Sequence, residues 1–297
     1  MRVVPSEMYS ELLSNLQIDR QSVNQDVEEA SSGKSVNNLS DNPLAAGQLV
    51  ISNAQIADVD QFSYSVSTVQ GSLNTADSAL NSVVSSLTQA VSVGTEAAGG
   101  TLSTSELQAL GQQVDQIQQQ VIGLANTTYQ GNYVFAGTAV QNAAYSATGV
   151  YAGNTSVNSV DVGEGQTASL GLPGSTIFGA APVAGQPDLT FQYLTQLSTD
   201  IKANNQGAIA TDITNVQSAL NNVIAQRSSY GDTLQQLNSD STNLSQEKLT
   251  IQQYQTTLIG ADEAQVATNL SQSETTLQAA IEAASQVSQE SLINYLK

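Results

Sequence analysis

Few residues in this 297-residue sequence have the types and spacing that site chemistry needs. Gly33-Lys34-Ser35 has the form of the end of a phosphate-binding loop, but the glycine required five residues before Gly33 is replaced by Glu28. Asp58 and Asp60 lie two apart on a predicted helix and point to different faces, so they are poor metal partners. We therefore expect neither a nucleotide site nor a metal site here.

Cysteine and histidine are both absent from the sequence. This removes thiol nucleophiles, disulfides, the usual zinc ligands and histidine-based acid–base catalysis. Tyr129, Tyr133 and Phe135 could form a ligand-stacking patch, but their position beside the end of a predicted helix favours packing between domains. We predict no catalytic residue, no cofactor and no enzymatic activity.

The charge balance is strongly acidic, with 7 Lys and Arg against 26 Asp and Glu and a net charge of −19. No basic residue occurs between Lys34 and Lys202, so a nucleic acid has no basic face on which to dock. The first ten residues contain no apolar run, so we expect no cleavable secretory signal. No run of about 18 apolar residues occurs, so we expect no membrane insertion. These exclusions favour an architectural function.

Two long stretches have apolar residues spaced alternately by three and four, which is typical of coiled-coil seams. One predicts a helix over about 43–98 and the other a helix of similar length over 209–258, so each can bury the seam of the other. Four polar residues on the second seam act either as register devices or as exits to solvent, namely Arg227, Ser241, Lys248 and Gln255. The seam positions are Val59, Phe62, Val66, Val69, Leu73, Ala76, Leu80, Val83, Leu87 and Ala90 in the first, and Ile209, Ile213, Val216, Leu220, Val223, Arg227, Tyr230, Leu234, Leu237, Ser241, Leu244, Lys248, Ile251, Gln255 and Leu258 in the second.

Two amphipathic helices of about 30 residues are predicted at the chain ends, over 6–32 and 261–297. Glycines at 33 and 260 separate them from the inner helices, and neither should be stable alone. We expect them to be disordered in the monomer and to fold against each other and against other copies of the chain in an assembly. The candidate assembly residues are Tyr9, Leu13, Leu16, Val23, Val27, Val266, Leu270, Leu277, Ala280, Ala284 and Val287.

The remaining signals divide the chain. Asp41 or Asn42 can cap the helix that begins at Pro43, and Ser103 with Glu106 has the spacing of a capping box for a third helix. Residues 131–190 are rich in glycine and proline, with short β-prone runs between turn signals. We predict a mainly α fold: an elongated coiled-coil helical rod built from both chain ends, with a small β-rich domain inserted in the middle. The predicted domains are 1–42, 43–130, 131–190, 191–260 and 261–297.

The stretch Ser31-Ser32-Gly33-Lys34-Ser35-Val36 is followed by Ser40-Asp41-Asn42-Pro43. Together they resemble the "SSGKRV…SDDP" signature of the bacterial flagellin superfamily, in its hook-associated protein 3 group. The run 131–138 is similar to the "YLFAGT" sequence at which a variable domain begins in that family. The start and the end of this chain are also similar to the two ends of the family's sequences. The motif residues are Ser32, Gly33, Lys34, Ser40, Asp41 and Pro43.

The resemblance implies a structural subunit at the hook–filament junction of the flagellum. It implies a ring of eleven subunits, secretion through the flagellar type III channel and an export chaperone. The implied neighbours are the adjacent hook-associated junction protein and flagellin. Two alternatives stay open: a flagellin-type filament subunit, and an adhesive or carbohydrate-binding coiled-coil surface protein.

Overall fold

The computed structural model describes the backbone of residues 5–295 and the side chains of residues 10–286. Over that part of the chain the fold is mainly α, with a small strand-containing middle region, as predicted. The helices are α1 (Pro5–Ser32), α2 (Pro43–Ala97), α3 (Thr104–Ala125), α4 (Gly174–Phe178), α5 (Leu189–Lys202), α6 (Gln206–Ile259) and α7 (Glu263–Tyr295), and the strands are β1 (Thr128–Tyr129), β2 (Asn132–Tyr133), β3 (Ser159–Gly163) and β4 (Gln166–Ser169).

Two compact units are present. Residues 59–246 form one, and residues 1–58 with 247–297 form the other. Each contains segments from both halves of the sequence, because α2 and α6 each contribute to both units. Helices that are distant in the sequence therefore meet within each unit.

The core of the 59–246 unit is built from the predicted seams. Val69, Leu80 and Val83 of α2 are fully buried, and Phe62 is half-buried. Val216 and Val223 of α6 are also fully buried. The start of α3 has both hydrogen bonds of its predicted capping box, since the Ser103 amide donates to Glu106 and the Glu106 amide donates to the Ser103 hydroxyl.

Arg227 sets the register between α6 and α2. Its Nε donates to Oδ1 of Asp77 at 2.7 Å, and Nη1 donates to Oδ1 of Asn81 at 2.8 Å. A guanidinium held by two residues one helical turn apart fixes its helix along the axis of the neighbouring helix. Of the two interpretations of this seam position, these contacts fit the register device.

The break between α5 and α6 was missed by the sequence analysis. Residues 203–205 interrupt the helix, and Asn204 has a φ of 54°, a left-handed conformation that asparagine tolerates better than most residues. The break allows α5 to pack against α3, where the Ser198 hydroxyl donates to the carbonyl of Gly111 at 2.9 Å and Lys202 forms an ion pair with Asp115.

The middle region contains two antiparallel strand pairs, β1–β2 and β3–β4. The predicted Gly163-Glu164-Gly165 turn lies between β3 and β4. Much of the region is irregular, and its core is a cluster of aromatic rings from distant segments. The rings in contact with one another belong to Phe135, Tyr145, Tyr151, Phe178 and Phe191.

Tyr145 ties this cluster to the start of α5. Its hydroxyl donates to Oδ2 of Asp188 at 2.7 Å, and the amide of Ala181 donates to Oδ1 at 3.0 Å. Burial raises the pKa of the Asp188 carboxyl, and both of its oxygens are satisfied by these donors. Burial and the neighbouring carboxylate also raise the pKa of the Tyr145 phenol. A buried polar pair that satisfies both partners specifies how the irregular segments pack.

In the unit formed by residues 1–58 and 247–297, hydrogen bonds join the segment that follows α1 to the segment between α6 and α7. The Ser35 amide donates to the carbonyl of Ile259 at 2.8 Å, and the Ala261 amide donates to the carbonyl of Gly33 at 3.0 Å. These bonds flank an antiparallel bridge between Lys34 and Gly260. A small apolar cluster lies beside the bridge, formed by Val36, Ala45, Ala46, Leu49, Leu258 and Ile259.

We predict that the 59–246 unit loses stability as pH rises, because of Asp212. This carboxyl is 4% exposed, its Oδ2 has no hydrogen-bond partner among the described residues, and Asp200 faces it from α5. Burial, and then the interaction with Asp200, raise its pKa to about 6 from 3.8. The stabilisation is complete below pH 3.8 and is lost as pH rises through about 6. Equilibrium denaturation at several pH values should show a loss of up to ~3 kcal/mol from this group.

Asp212→Asn is the matched variant, because an amide mimics the neutral acid at nearly the same volume. Its free energy of unfolding should equal that of the wild type in acid and exceed it at about pH 8. Asp188, whose pKa is also raised, contributes a remaining dependence of the same sign in both proteins. Identical pH dependence in the two proteins would contradict the assignment to Asp212.

A second prediction concerns the bridge. A Cβ placed on Gly260 would lie 2.3 Å from the carbonyl oxygen of Thr256, closer than real Cβ contacts come, so the backbone must shift. Gly260→Ala should cost on the order of 1–3 kcal/mol and lower amide protection at Ser35 and Ala261. Gly47→Ala is the control in α2 of the same unit, since its Cβ meets nothing within 4 Å, and it should be neutral or stabilising. Equal stability of the two variants would count against this role of Gly260.

Candidate assembly interface

The two outer helices lie against each other and run antiparallel. The Ser273 hydroxyl of α7 donates to Oδ2 of Asp26 in α1 at 2.5 Å, while the ends of the two helices meet at the Lys34–Gly260 bridge. Residue numbers therefore rise along α7 as they fall along α1. The two ends of the chain supply the two halves of one helical pair.

The face of α7 that lies against α1 carries the candidate residues of that helix. Val266 is buried, at 5% exposure, and four further candidates are half-buried at intervals of three, four and seven. Ser273, which is also half-buried, lies on the same face between Leu270 and Leu277. The side chain of Val287 lies outside the described residues. The four half-buried candidates are Leu270, Leu277, Ala280 and Ala284.

The face of α1 differs from its predicted seam. Leu16 and Val23 are half-buried, but Leu13 and Val27 are 49% and 48% exposed. The side chain of Tyr9 lies outside the described residues. The other half-buried positions on the first helix include Leu12, Asp19 and Asp26. The face is thus rotated toward two aspartates, at least one of which is hydrogen-bonded across the pair.

This rotation leaves apolar side chains on the outside of the pair. Ile18 of α1 is 61% exposed and Ile281 of α7 is 53% exposed, in addition to Leu13 and Val27. Two helices alone cannot cover apolar residues that point in several directions around them. Such a surface is typical of an interaction site.

The motif residues at the start of the inner helices make local hydrogen bonds. The Asp41 carboxylate accepts from the amides of Asn38 at 2.7 Å and Asn37 at 3.1 Å, and the Asn38 bond is the main reason that the pKa of this carboxyl is lowered. Ser40 donates to Asp41 at 3.3 Å. Oδ1 of Asn42 accepts from the amide of Ala45 at 3.1 Å. Asn42 therefore caps α2, Pro43 is its first residue, and Asp41 closes the preceding turn.

Ser32, Gly33 and Lys34 form the turn out of α1. Gly33 has a φ of 66°, and the Lys34 amide donates to the Ser32 hydroxyl at 3.2 Å. The amide of Ser35 donates to the carbonyl of Ile259. A phosphate-binding loop would instead point successive amides at a ligand.

No described helix has the length and apolar character that crossing a membrane requires.

Comparisons with known proteins agree with this geometry. Residues 6–140 match the bacterial flagellin N-terminal helical region, and residues 213–296 match the bacterial flagellin C-terminal helical region. The chain is 26% identical over 259 residues to flagellar hook-associated protein 3 of Salmonella typhimurium, covering 80% of this chain and 82% of the relative. It is 27% identical over 232 residues to the protein of the same name from Escherichia coli, covering 71% and 73%.

Solved structures share the fold. A putative flagellar hook-associated protein from Vibrio parahaemolyticus matches with a TM-score of 0.67 and 19% identity, over 73% of this chain and 99% of that one. Bacillus cereus FlgL matches with a TM-score of 0.61 and 23% identity, over 69% and 99%. The two flagellin regions meet in space through α1 and α7, and the relatives match over most of their own length. The chain therefore belongs to the bacterial flagellin family.

Proposed function

We propose that this protein is a structural subunit of the bacterial flagellum, an adaptor at the hook–filament junction that self-assembles through α1 and α7. The observation that carries the proposal is the exposed apolar surface of this helix pair, at Leu13, Ile18, Val27 and Ile281. Another copy of the chain presents the same helices. Packing several pairs side by side would bury these residues, as in a multi-helix coiled coil.

The names of the relatives support the position in the flagellum. The proteins from Salmonella typhimurium and Escherichia coli are called flagellar hook-associated protein 3, and a Legionella pneumophila structure of the same fold is described as the flagellar junction protein FlgL. We infer a ring of eleven subunits with the adjacent hook-associated junction protein on one side and flagellin on the other. We further infer secretion to the cell exterior with the help of a flagellar export chaperone.

A filament subunit is the alternative, because the flagellin helical regions match both ends of the chain. The two functions differ in how the polymer closes. A filament subunit forms an open helical array that grows without limit, whereas a junction subunit stops at a short closed ring. Sedimentation of the purified protein at high concentration separates them, since long polymers would indicate the filament subunit.

Deletion of the gene should leave cells with hooks and no filaments, with flagellin released into the medium. The reason is that no adaptor surface would remain on which flagellin could add. Electron microscopy of the flagella and assay of the medium for flagellin measure this outcome, and expression of the intact chain in the same strain is the control. Normal filaments in the deletion strain would contradict the junction function.

Two substitutions should separate helix pairing from assembly. Leu277→Asp places a charge in the half-buried face of α7, so it should disrupt the α1–α7 pair and prevent incorporation into flagella. Leu13→Asp changes a residue that is 49% exposed, so it should leave the pair intact and still prevent incorporation. Circular dichroism, amide exchange and flagellar incorporation are the measurements.

The matched control is Gln89→Asp, which adds the same charge at an exposed position of α2 in the other unit. It should assemble normally. All three variants should retain cooperative melting of the 59–246 unit. Incorporation of Leu13→Asp at the wild-type level would show that the outer face of α1 is not an assembly surface.

A further inference from the structure

A cavity of about 210 Å³ lies within the 59–246 unit, between α2 and the middle region. We call it the tyrosine cavity, because Tyr129 and Tyr133 of the β1–β2 pair form part of its wall. Thr68 contributes from α2, Asn158 precedes β3, and Leu170 follows β4. Its volume equals about seven water molecules at ~30 Å³ each, which is enough for one small organic ring.

No charged residue lines this cavity. A phosphate or carboxylate ligand would require a basic partner, and a metal ion would require carboxylates, so these classes do not fit. The wall instead combines aromatic rings and aliphatic side chains with neutral hydroxyl and amide groups. A ligand that matches it must be uncharged, with an apolar face and several hydrogen-bonding groups.

The position of Tyr129 is fixed by its neighbours. A Cβ on Gly71 of α2 would lie 2.2 Å from the Tyr129 hydroxyl oxygen, so only glycine leaves room for the ring there. The side-chain amide of Gln130 donates to the same hydroxyl at 3.1 Å. Gln130 and Gly131, with φ values of 50° and 83°, are the two residues between β1 and β2, and a tight hairpin turn of this kind requires a positive φ at both. This turn joins the two strands that carry Tyr129 and Tyr133.

Other polar groups of the wall are available to a ligand. Within the described residues, the hydroxyl of Tyr133 and the side-chain amide of Asn158 have no hydrogen-bond partner. Both side chains are half-buried, so water or a ligand can reach them. One wall can therefore supply ring contact through tyrosine and hydrogen bonds through a hydroxyl and an amide.

We propose that the tyrosine cavity binds one neutral pyranose ring of a saccharide. The C–H face of a pyranose packs against aromatic rings, and its hydroxyls exchange hydrogen bonds with neutral hydroxyl and amide groups. The site takes no part in the assembly proposed for α1 and α7. It would give an assembled subunit a contact with neutral glycans.

The test is saturation-transfer NMR on the full chain with methyl α-D-glucopyranoside, methyl β-D-galactopyranoside and N-acetylglucosamine as probes. At least one probe should bind at millimolar concentration. Tyr133→Ala should weaken its binding by about tenfold or more, and Asn158→Ala should weaken it by several-fold. Tyr64→Ala is the matched control, since that tyrosine of α2 is 69% exposed and lies outside the cavity, and it should bind as the wild type does.

Three outcomes would overturn the proposal. The first is that none of the three probes binds. The second is that binding is unchanged in Tyr133→Ala and Asn158→Ala while both variants melt as the wild type does. The third is that glucuronate or indole binds more tightly than every neutral sugar, which would identify an anion site or an apolar side-chain pocket. Incorporation into flagella is measured separately and does not depend on these results.

Discussion

Burial of apolar seams between helices that are distant in the sequence is the constraint on which the structure depends. In the 59–246 unit, the α2 seam and the α6 seam are buried along their length, with Val69, Leu80 and Val216 fully inaccessible. Each seam is a row of apolar side chains that water would otherwise cover, at a cost of about 25 cal/mol per Å². The second half of the chain must therefore pack against the first half, with α6 beside α2.

Polar residues on the seams decide the register of this pairing. Arg227 binds Asp77 and Asn81 in one unit, and in the other the Gln255 side-chain amide donates to Ser52 and Asn53 at 2.9 Å each. A chain with only 11% charged residues has few ion pairs with which to choose a register. Neutral amide and hydroxyl contacts such as those of Gln255 therefore share that task with the Arg227 ion pair.

The outer helices α1 and α7 bury only part of their apolar surface against each other. Asp26 lies in the face between α1 and α7, where Ser273 satisfies it, so the apolar residues Leu13 and Val27 are turned outward. This arrangement stabilises a pair that still has apolar surface to bury. The helices of a subunit meant for assembly need both properties, since a pair with a fully covered surface would have no reason to associate.

Sequence alone determined the long helices, the seams of α2 and α6, and the cap of α3. These are local properties: a three–four spacing, the Ser103–Glu106 box and the proline at 43 act within one or two helical turns. The family motifs at 31–43 and 131–138 were also readable directly.

Only the tertiary structure decided which way α1 faces and that α5 packs on α3. It also assembled the aromatic cluster, the tyrosine cavity and the unpaired Asp212 oxygen from segments that are far apart in the sequence. The physical reason is that burial and hydrogen-bond satisfaction depend on which distant groups arrive beside a residue. A heptad pattern predicts that a helix pairs with another helix. Which side of the helix is buried then depends on the partner.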